Sequence, residues 1–284
     1  SLSNSFELKQ KVKMKMKKSV FLLTLTTISA VMFLSSCAKK EGCMDQAALN
    51  FDPEAEVDMG CEYATDDDVA VTLHMHQNIG GGELVEESMY TINGVATNLN
   101  LVQFYVSAIT LVDAAGNEIT NDDVYLLVTP EEEAYSIGNF PAGDYTQIKF
   151  DIGIDSVTNH ADPSKYDIGN PLGAQFPSMH WGWSFGYIFL RIDGEADADG
   201  NGVPDTDGQF EMHLGSDAYL ATIEIDFPIT IAEGNENIVH LDADWDTFFT
   251  GVDMAKDNTT HVTDNAALSS LLYENIFNMF SAEE

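Results

Sequence analysis

The chain has 284 residues, with 47 acidic side chains against 12 Lys and Arg, and its formal net charge is −35 at pH 7. Such an acidic surface repels a phosphate backbone, which excludes nucleic acid as a partner, and it suits divalent cations or basic proteins. The length is enough for one sizeable core and a smaller appendage.

The N-terminal segment has the features of a lipoprotein signal peptide. Six lysines precede an apolar stretch over residues 20–34, which is too short to span a membrane comfortably as a helix. The sequence Leu34-Ser35-Ser36-Cys37 then has the small-residue pattern of a bacterial lipoprotein cleavage site. We therefore predict a signal peptide over 1–36 and a lipid anchor on Cys37 that holds the protein at the cell envelope without spanning the membrane. Ala38 in place of Asp favours the outer membrane, by a rule taken from other lipoproteins.

Residues 37–68 form a second segment, which comprises the lipidated cysteine, a small module and an acidic linker. Once Cys37 carries lipid, Cys43 and Cys61 remain, and in an oxidising compartment this pair is expected to form a disulfide. Residues 42–63 resemble a short Cys-rich module that recurs in surface and secreted proteins of the Bacteroidetes. Its acid and amide side chains are either ligands of a hard cation or solvated groups on a disulfide-stapled spacer. These side chains are Asp45, Asn50, Asp52 and Asp58.

A domain with the pattern of an all-β fold occupies residues 69–284. Residues 69–76 alternate in polarity, which predicts a strand with His74 and His76 on one face and Val71, Leu73 and Met75 on the other. Two imidazoles at this spacing can chelate a transition metal, although an ordinary exposed strand face is the commoner explanation of such a pair.

Many short strands without alternating helices predict an antiparallel β-sandwich. The further strand-like segments are residues 99–112, 124–128, 145–154, 187–192, 218–227 and 237–241. One helix is predicted at the C-terminus, with Thr263 or Asp264 as its cap. Its apolar stripe consists of Leu268, Leu271, Leu272, Ile276, Met279 and Phe280.

Residues 197–207 have the spacing of a calcium-binding loop. The predicted ligands are Asp197, Asp199, Asn201, Asp205 and the carbonyl of Val203, with Gly202 at the turn. Gly208 stands where a closing Glu would be, so Asp207 or a distant acid has to supply the last ligand. We predict a structural calcium ion that stiffens a hairpin tip.

Residues 182–186 match G-x-S-x-G, the nucleophile elbow of α/β-hydrolases, with Ser184 at the centre. That motif requires a helix after the serine, whereas residues 187–190 are typical of a strand. We therefore predict no catalytic residue and expect a protein that is not an enzyme.

Five motifs in order resemble the MbnP-like family of copper-binding lipoproteins over residues 70–284. They are LNLVQFYVSAITL (99–111), PAGDYTQIKFDIGIDS (141–156), MHWGWSFGYIFLRIDG (179–194), FEMHLG (210–215) and NIFNMF (275–280). The resemblance implies a secreted β-rich domain that captures, stores or handles copper. It also implies a partner, a dihaem peroxidase of the MauG type called MbnH, which oxidises a tryptophan to kynurenine at the copper site.

The resemblance also implies candidate site residues. Trp181 and Trp183 match the family's two tryptophans, and we prefer Trp181 as the oxidised one. His213 matches the family's histidine in its H-[IL]-G motif, and His76 lies near the family's early histidine. His74 and His180 are additional imidazoles, and Met75, Met179 and Met212 are soft ligands beside these histidines. The alternative function is a calcium-stabilised surface binding module without copper.

Overall fold

The computed structural model describes residues 39–44, 50–61, 68–182 and 185–283. The chain divides into two compact units, residues 1–64 and 65–284. The predicted signal peptide, Cys37, Asp45, Trp183 and Ser184 lie outside the described residues.

In the first unit, a parallel strand pair forms between β1 (Glu41–Gly42) and β2 (Val57–Asp58). The predicted disulfide is confirmed, since Cys43 is bonded to Cys61. The described acid and amide side chains of the module all have local partners: Asp52 pairs with Lys40 at 2.9 Å, Asn50 donates to the Gly60 carbonyl at 2.7 Å, and Asp58 accepts from the Met44 amide at 2.9 Å. These contacts support the spacer interpretation, and a cation in this module stays a prediction.

The second unit begins with β3 (Asp68–Ile79), β4 (Gly82–Glu83), β5 (Ser88–Ile92), β6 (Val95–Asp113), β7 (Glu118–Asn121), β8 (Leu126–Val128), β9 (Ala134–Pro141) and β10 (Gly143–Ile152). The chain continues with β11 (Ile188–Ala196), β12 (Gln209–Gly215), β13 (Ala221–Ile231), β14 (Ile238–Asp244), β15 (Thr260–His261) and β16 (Phe280–Ala282). Its helices are α1 (Ser156–Asn159), α2 (Trp245–Phe248) and α3 (Ala266–Met279).

These strands form two sheets that pack on one core. The larger sheet has the order β13-β10-β6-β11-β12-β15, with β5, β7 and β8 also paired to β6, and the smaller has the order β16-β14-β3-β4, with β9 paired to β3. Leu73 from β3 and Leu241 from β14 share the core with Phe104 from β6 and Ile148 from β10, and all four are completely buried. Along β3, β10 and β13 alternate residues are buried towards this core, and the packing of two sheets on one core confirms the predicted sandwich.

The sheets are mixed, whereas the sequence pattern predicted antiparallel ones. β3 pairs with β14 in parallel, and β12 pairs with β15 in parallel. Parallel pairing requires a long connection between the two strands, and most of the domain lies between β3 and β14. Such a crossover leaves no trace in the local alternation of either strand.

The predicted C-terminal helix is present as α3. Leu268, Leu272, Ile276 and Met279 are buried on one side of it, as the four-residue spacing predicted. The cap is Asn265, whose side chain accepts from the Leu268 amide at 3.2 Å, so the predicted caps Thr263 and Asp264 were wrong. Within the residues that the structure describes, no helix is long and apolar enough to cross a membrane.

Candidate functional site

His213 lies on the outer face of the larger sheet, although only 5% of it is exposed. Along β12, Phe210, Met212 and Leu214 point into the core, so Glu211 and His213 point the other way. β11 runs antiparallel beside β12, with Asp193 opposite Glu211. The sheet register therefore brings a buried imidazole and carboxylates together on one face.

Asp193 orients the His213 ring. Its Oδ1 lies 2.6 Å from His213 Nε2, and its Oδ2 accepts from Arg191 Nη2 at 2.6 Å and Nε at 3.0 Å. Burial opposes ionisation, but the His213 and Arg191 hydrogen bonds hold the pKa of Asp193 below its usual value. An ionised Asp193 can only accept, so Nε2 carries the proton and Nδ1 of neutral His213 keeps its lone pair. That buried Nδ1 has no hydrogen-bond partner in the described part of the chain.

His261 is the cross-strand neighbour of His213. β15 pairs with β12 at this position, and the two rings meet edge to face with centroids 4.8 Å apart. Nε2 of His261 lies 2.9 Å from a Glu211 oxygen and Nδ1 lies 2.9 Å from an Asp264 oxygen. Burial disfavours the charged ring, yet the hydrogen bonds to Asp264 and Glu211 outweigh it and raise the pKa of His261.

These residues form a candidate metal centre. Glu211, His213 and His261 each offer one ligand atom, and the three atoms lie within 4.8 Å of one another. Each histidine also contacts a carboxylate: Nε2 of His213 contacts Asp193, and Nδ1 of His261 contacts Asp264. Such outer carboxylates fix the tautomer and the orientation of metal-binding histidines.

Trp181 lies at the same end of the larger sheet. It lines a cleft of about 600 Å³, with His160, Phe185, Asp217 and His261 among the other lining residues; we call this the Trp181 cleft. Gly215 ends β12, and a Cβ there would lie 2.7 Å from Trp181 Cζ3 and 2.5 Å from the Tyr187 carbonyl oxygen. The glycine of the H-L-G motif therefore leaves the space that the indole ring occupies.

His180 does not join His213. Its Nδ1 accepts from the Gly182 amide at 2.9 Å, and its ring packs edge to face on Tyr187 with centroids 4.7 Å apart. Burial lowers the pKa of His180, and Asp162 partly opposes this shift. The histidines that were predicted as copper ligands therefore do not form one group.

His74 and His76 lie on the other sheet. The predicted shared face is present, because both project from β3 on the side opposite to the buried Leu73 and Met75. Their ligand atoms group with His240 of β14, which the sequence analysis did not select. His261 was missed for the same reason, since neither histidine lies in a recognisable spacing and only strand pairing brings it to its group.

The methionines that accompany the predicted ligands point away from the histidines. Met75 and Met212 belong to the main core. Met179 packs in a smaller apolar cluster with Tyr105 and Tyr187, which Trp181 borders.

The predicted calcium loop forms an irregular turn held by its own side chains. Asp197 accepts from the Asn201 and Gly202 amides at 2.9 and 2.7 Å, and Asp199 accepts from the Asn201 amide at 3.0 Å. Burial raises the pKa of Asp197, but these backbone hydrogen bonds outweigh it and the pKa is lowered. Among the described residues the loop acids do not come together as a metal-ligand group, so calcium binding stays a prediction.

Glu86 is expected to titrate near neutral pH. It lines an acidic cleft with Glu83 and Glu131, and its Oε1 accepts from the Val102 amide at 2.6 Å. Burial, aided by the Glu131 charge, raises the pKa of Glu86 to about 7 from 4.5. Because the folded pKa is the higher one, Glu86 contributes stability below about pH 4.5 that is lost as the pH rises through about 7.

Replacing Glu86 by Gln, which keeps an acceptor for Val102, should therefore stabilise the fold above pH 7 and change little below pH 4. Urea unfolding at both pH values measures this difference, and ¹³C NMR of the Glu86 carboxyl measures the pKa. Glu236→Gln serves as the control, because it removes one charge from an exposed position outside this cleft. A Glu86 carboxyl that titrates near 4.5 would contradict the prediction.

A solved structure and a family model both resemble this chain. The structure of MbnP from Methylosinus trichosporium matches 71% of this chain and 87% of that chain, with a TM-score of 0.48 and 19% sequence identity. No curated protein matches the sequence significantly. The family model for MbnP matches residues 68–264, which is more than half of the chain and includes both His213 and His261. On this match, the chain belongs to the MbnP family.

Proposed function

We propose that this protein binds copper beside the Trp181 cleft and captures, stores or handles copper at the cell envelope, without being an enzyme. One observation carries the proposal. His213 is buried, its Nε2 is held by Asp193, and its Nδ1 is left without a partner among the described residues. A buried polar atom in this state is costly unless something binds it, and a metal ion is a suitable partner.

The donor set fits copper. Imidazole is a good copper ligand, and His213 and His261 supply two imidazoles beside Glu211. When bound, copper would supply a Lewis acid that accepts lone pairs from the imidazole nitrogens. The acidic surface, with a net charge of −35, attracts the cation to the protein.

Trp181 is the proposed oxidation target. It borders the cleft that His261 also lines, and it is half-buried. A dihaem peroxidase partner, with two equivalents of hydrogen peroxide as the oxidant, would cleave the Cγ–Cδ1 bond of the indole, adding two oxygen atoms and releasing two waters. Hydrolysis would then release Cδ1 as formate and leave kynurenine beside the imidazole pair. The lipid anchor on Cys37 and an outer-membrane location complete the proposal.

The test uses the mature protein purified under mild conditions from its native host. Elemental analysis is expected to find stoichiometric copper, and intact mass with peptide mapping should place a small mass gain on Trp181. His213→Ala and His261→Ala should lose copper. His160→Ala is the matched control: its ring lines the same cleft but lies 3.3 Å from Asp217, and the variant should keep copper.

Calcium without copper, an unmodified mass and no uptake of added copper would contradict the proposal. The calcium-stabilised surface module would then be the better account of the loop at residues 197–207. Normal copper content in both His213→Ala and His261→Ala would show that copper binds elsewhere in the protein.

A further inference from the structure

Three histidines converge on the outer face of the smaller sheet, away from the Trp181 cleft. β3 and β14 are parallel neighbours, and their register places His240 directly beside His74, with His76 two residues further along the same face. The His240 ring centroid lies 4.9 Å from that of His74 and 5.8 Å from that of His76. One nitrogen from each residue lies within 4.8 Å of the other two.

The C-terminal strand adds a carboxylate to this group. β16 runs antiparallel along β14 and pairs Ala282 with Leu241, after which the Glu283 amide donates to the His240 carbonyl at 3.2 Å. Oε2 of Glu283 then lies 3.2 Å from His240 Nδ1 and 3.6 Å from His76 Nε2. The register of three strands, and not any local spacing, assembles these four side chains.

Two of the ring nitrogens remain unsatisfied. His240 Nδ1 and His76 Nε2 are screened from solvent, and neither has a partner in hydrogen-bond geometry within the described residues. Glu283 is close enough to neutralise positive charge, but it does not complete a hydrogen bond to either ring. A cation among the three rings would satisfy both nitrogens and the carboxylate at once.

The ligand types select the class of cation. Calcium and magnesium need several oxygen ligands. Among the described residues, Glu283 supplies the one carboxylate at ion-pair distance from these rings, and the nearby Asp242 accepts from Asn78 at 3.0 Å. Cu(I) favours thioethers, but Met75 points into the core. Three imidazoles with one carboxylate suit divalent zinc or copper.

We propose that His74, His76 and His240, with Glu283, form a second metal site that binds a divalent transition ion on the outer face of the smaller sheet. This site is independent of the proposed copper centre, because it uses other residues on another sheet. Its partly exposed rings leave it open to solvent, so its ion exchanges with free metal in the medium.

Calorimetric titration of the metal-free mature protein with Zn²⁺ tests the proposal. The double variant His76→Ala/His240→Ala should lose one equivalent of zinc. Glu283→Gln should weaken binding by about 10-fold or more. His160→Ala is the control for a simple loss of surface imidazole, and it should bind zinc as the unmodified protein does.

Imidazole ¹⁵N NMR of the unmodified protein keeps the test valid if the double variant fails to fold. One equivalent of Zn²⁺ should shift the ring nitrogens of His76 and His240. Unmoved ring signals, or unchanged zinc stoichiometry and affinity in the folded double variant, would overturn the proposal. A loss of stability in Glu283→Gln without any zinc uptake by the unmodified protein would instead show a purely structural cluster.

Discussion

Replacing Asp193 by Asn should weaken copper binding by about 10- to 100-fold, although no copper ligand is removed. Asp193 accepts from His213 with one oxygen and from Arg191 with the other. An asparagine has a single acceptor oxygen, and Arg191 will take it because a guanidinium can only donate. The amide NH₂ then faces His213 Nε2 and forces the proton onto Nδ1, which removes the lone pair that would bind the metal.

A competition titration of copper against a chromophoric chelator measures this loss of affinity. Asp226→Asn is the matched control, since it removes the same charge from an exposed position on β13 of the same sheet. The tautomer change should also be visible in the ¹⁵N spectrum of His213 without metal. Equal copper affinity in Asp193→Asn and Asp226→Asn would show that Asp193 does not position a copper ligand.

Replacing Trp245 by Ala should lower the free energy of unfolding by about 3–5 kcal/mol. Trp245 is completely buried, and its ring packs edge-on against Phe104 of the larger sheet and Phe248 of α2. Its indole N–H donates to Gln77 of β3 at 3.1 Å, so the side chain connects the two sheets. The alanine variant leaves a cavity between the sheets and a buried amide oxygen without a donor.

Urea unfolding measures the effect as a lower transition midpoint with an unchanged slope. Trp245→Phe separates the two contributions, because phenylalanine fills most of the space but cannot donate to Gln77. Its expected cost is smaller, about 1–3 kcal/mol. A loss below about 1 kcal/mol in Trp245→Ala would contradict the packing argument, since a cavity of this kind cannot collapse without cost.

The two proposed metal groups can be separated experimentally, because they lie on different sheets and share no residue. Loss of copper in His213→Ala with retained zinc uptake would support both proposals. Loss of zinc in His76→Ala/His240→Ala with normal copper content would also support both proposals. Each variant therefore serves as the internal control for the other site.

Local patterns in the sequence were sufficient for much of this protein. Period-two alternation predicted β3 and the common face of His74 and His76, and the four-residue apolar spacing predicted α3. Two cysteines predicted the disulfide between Cys43 and Cys61. The motifs between residues 99 and 215, which lie within the family match, identified the family. The residues of each motif are adjacent in the chain, so the sequence alone shows them.

Which histidines come together at each proposed metal site depends on the tertiary structure alone. His240 reaches His74 because β14 pairs with β3 in parallel, and His261 reaches His213 because β15 pairs with β12. Strand register across a crossover depends on how two sheets bury their apolar faces together, and no local spacing encodes it. That pairing is why the predicted histidines separate into different groups, and why their nearest imidazoles come from segments that no sequence motif marks.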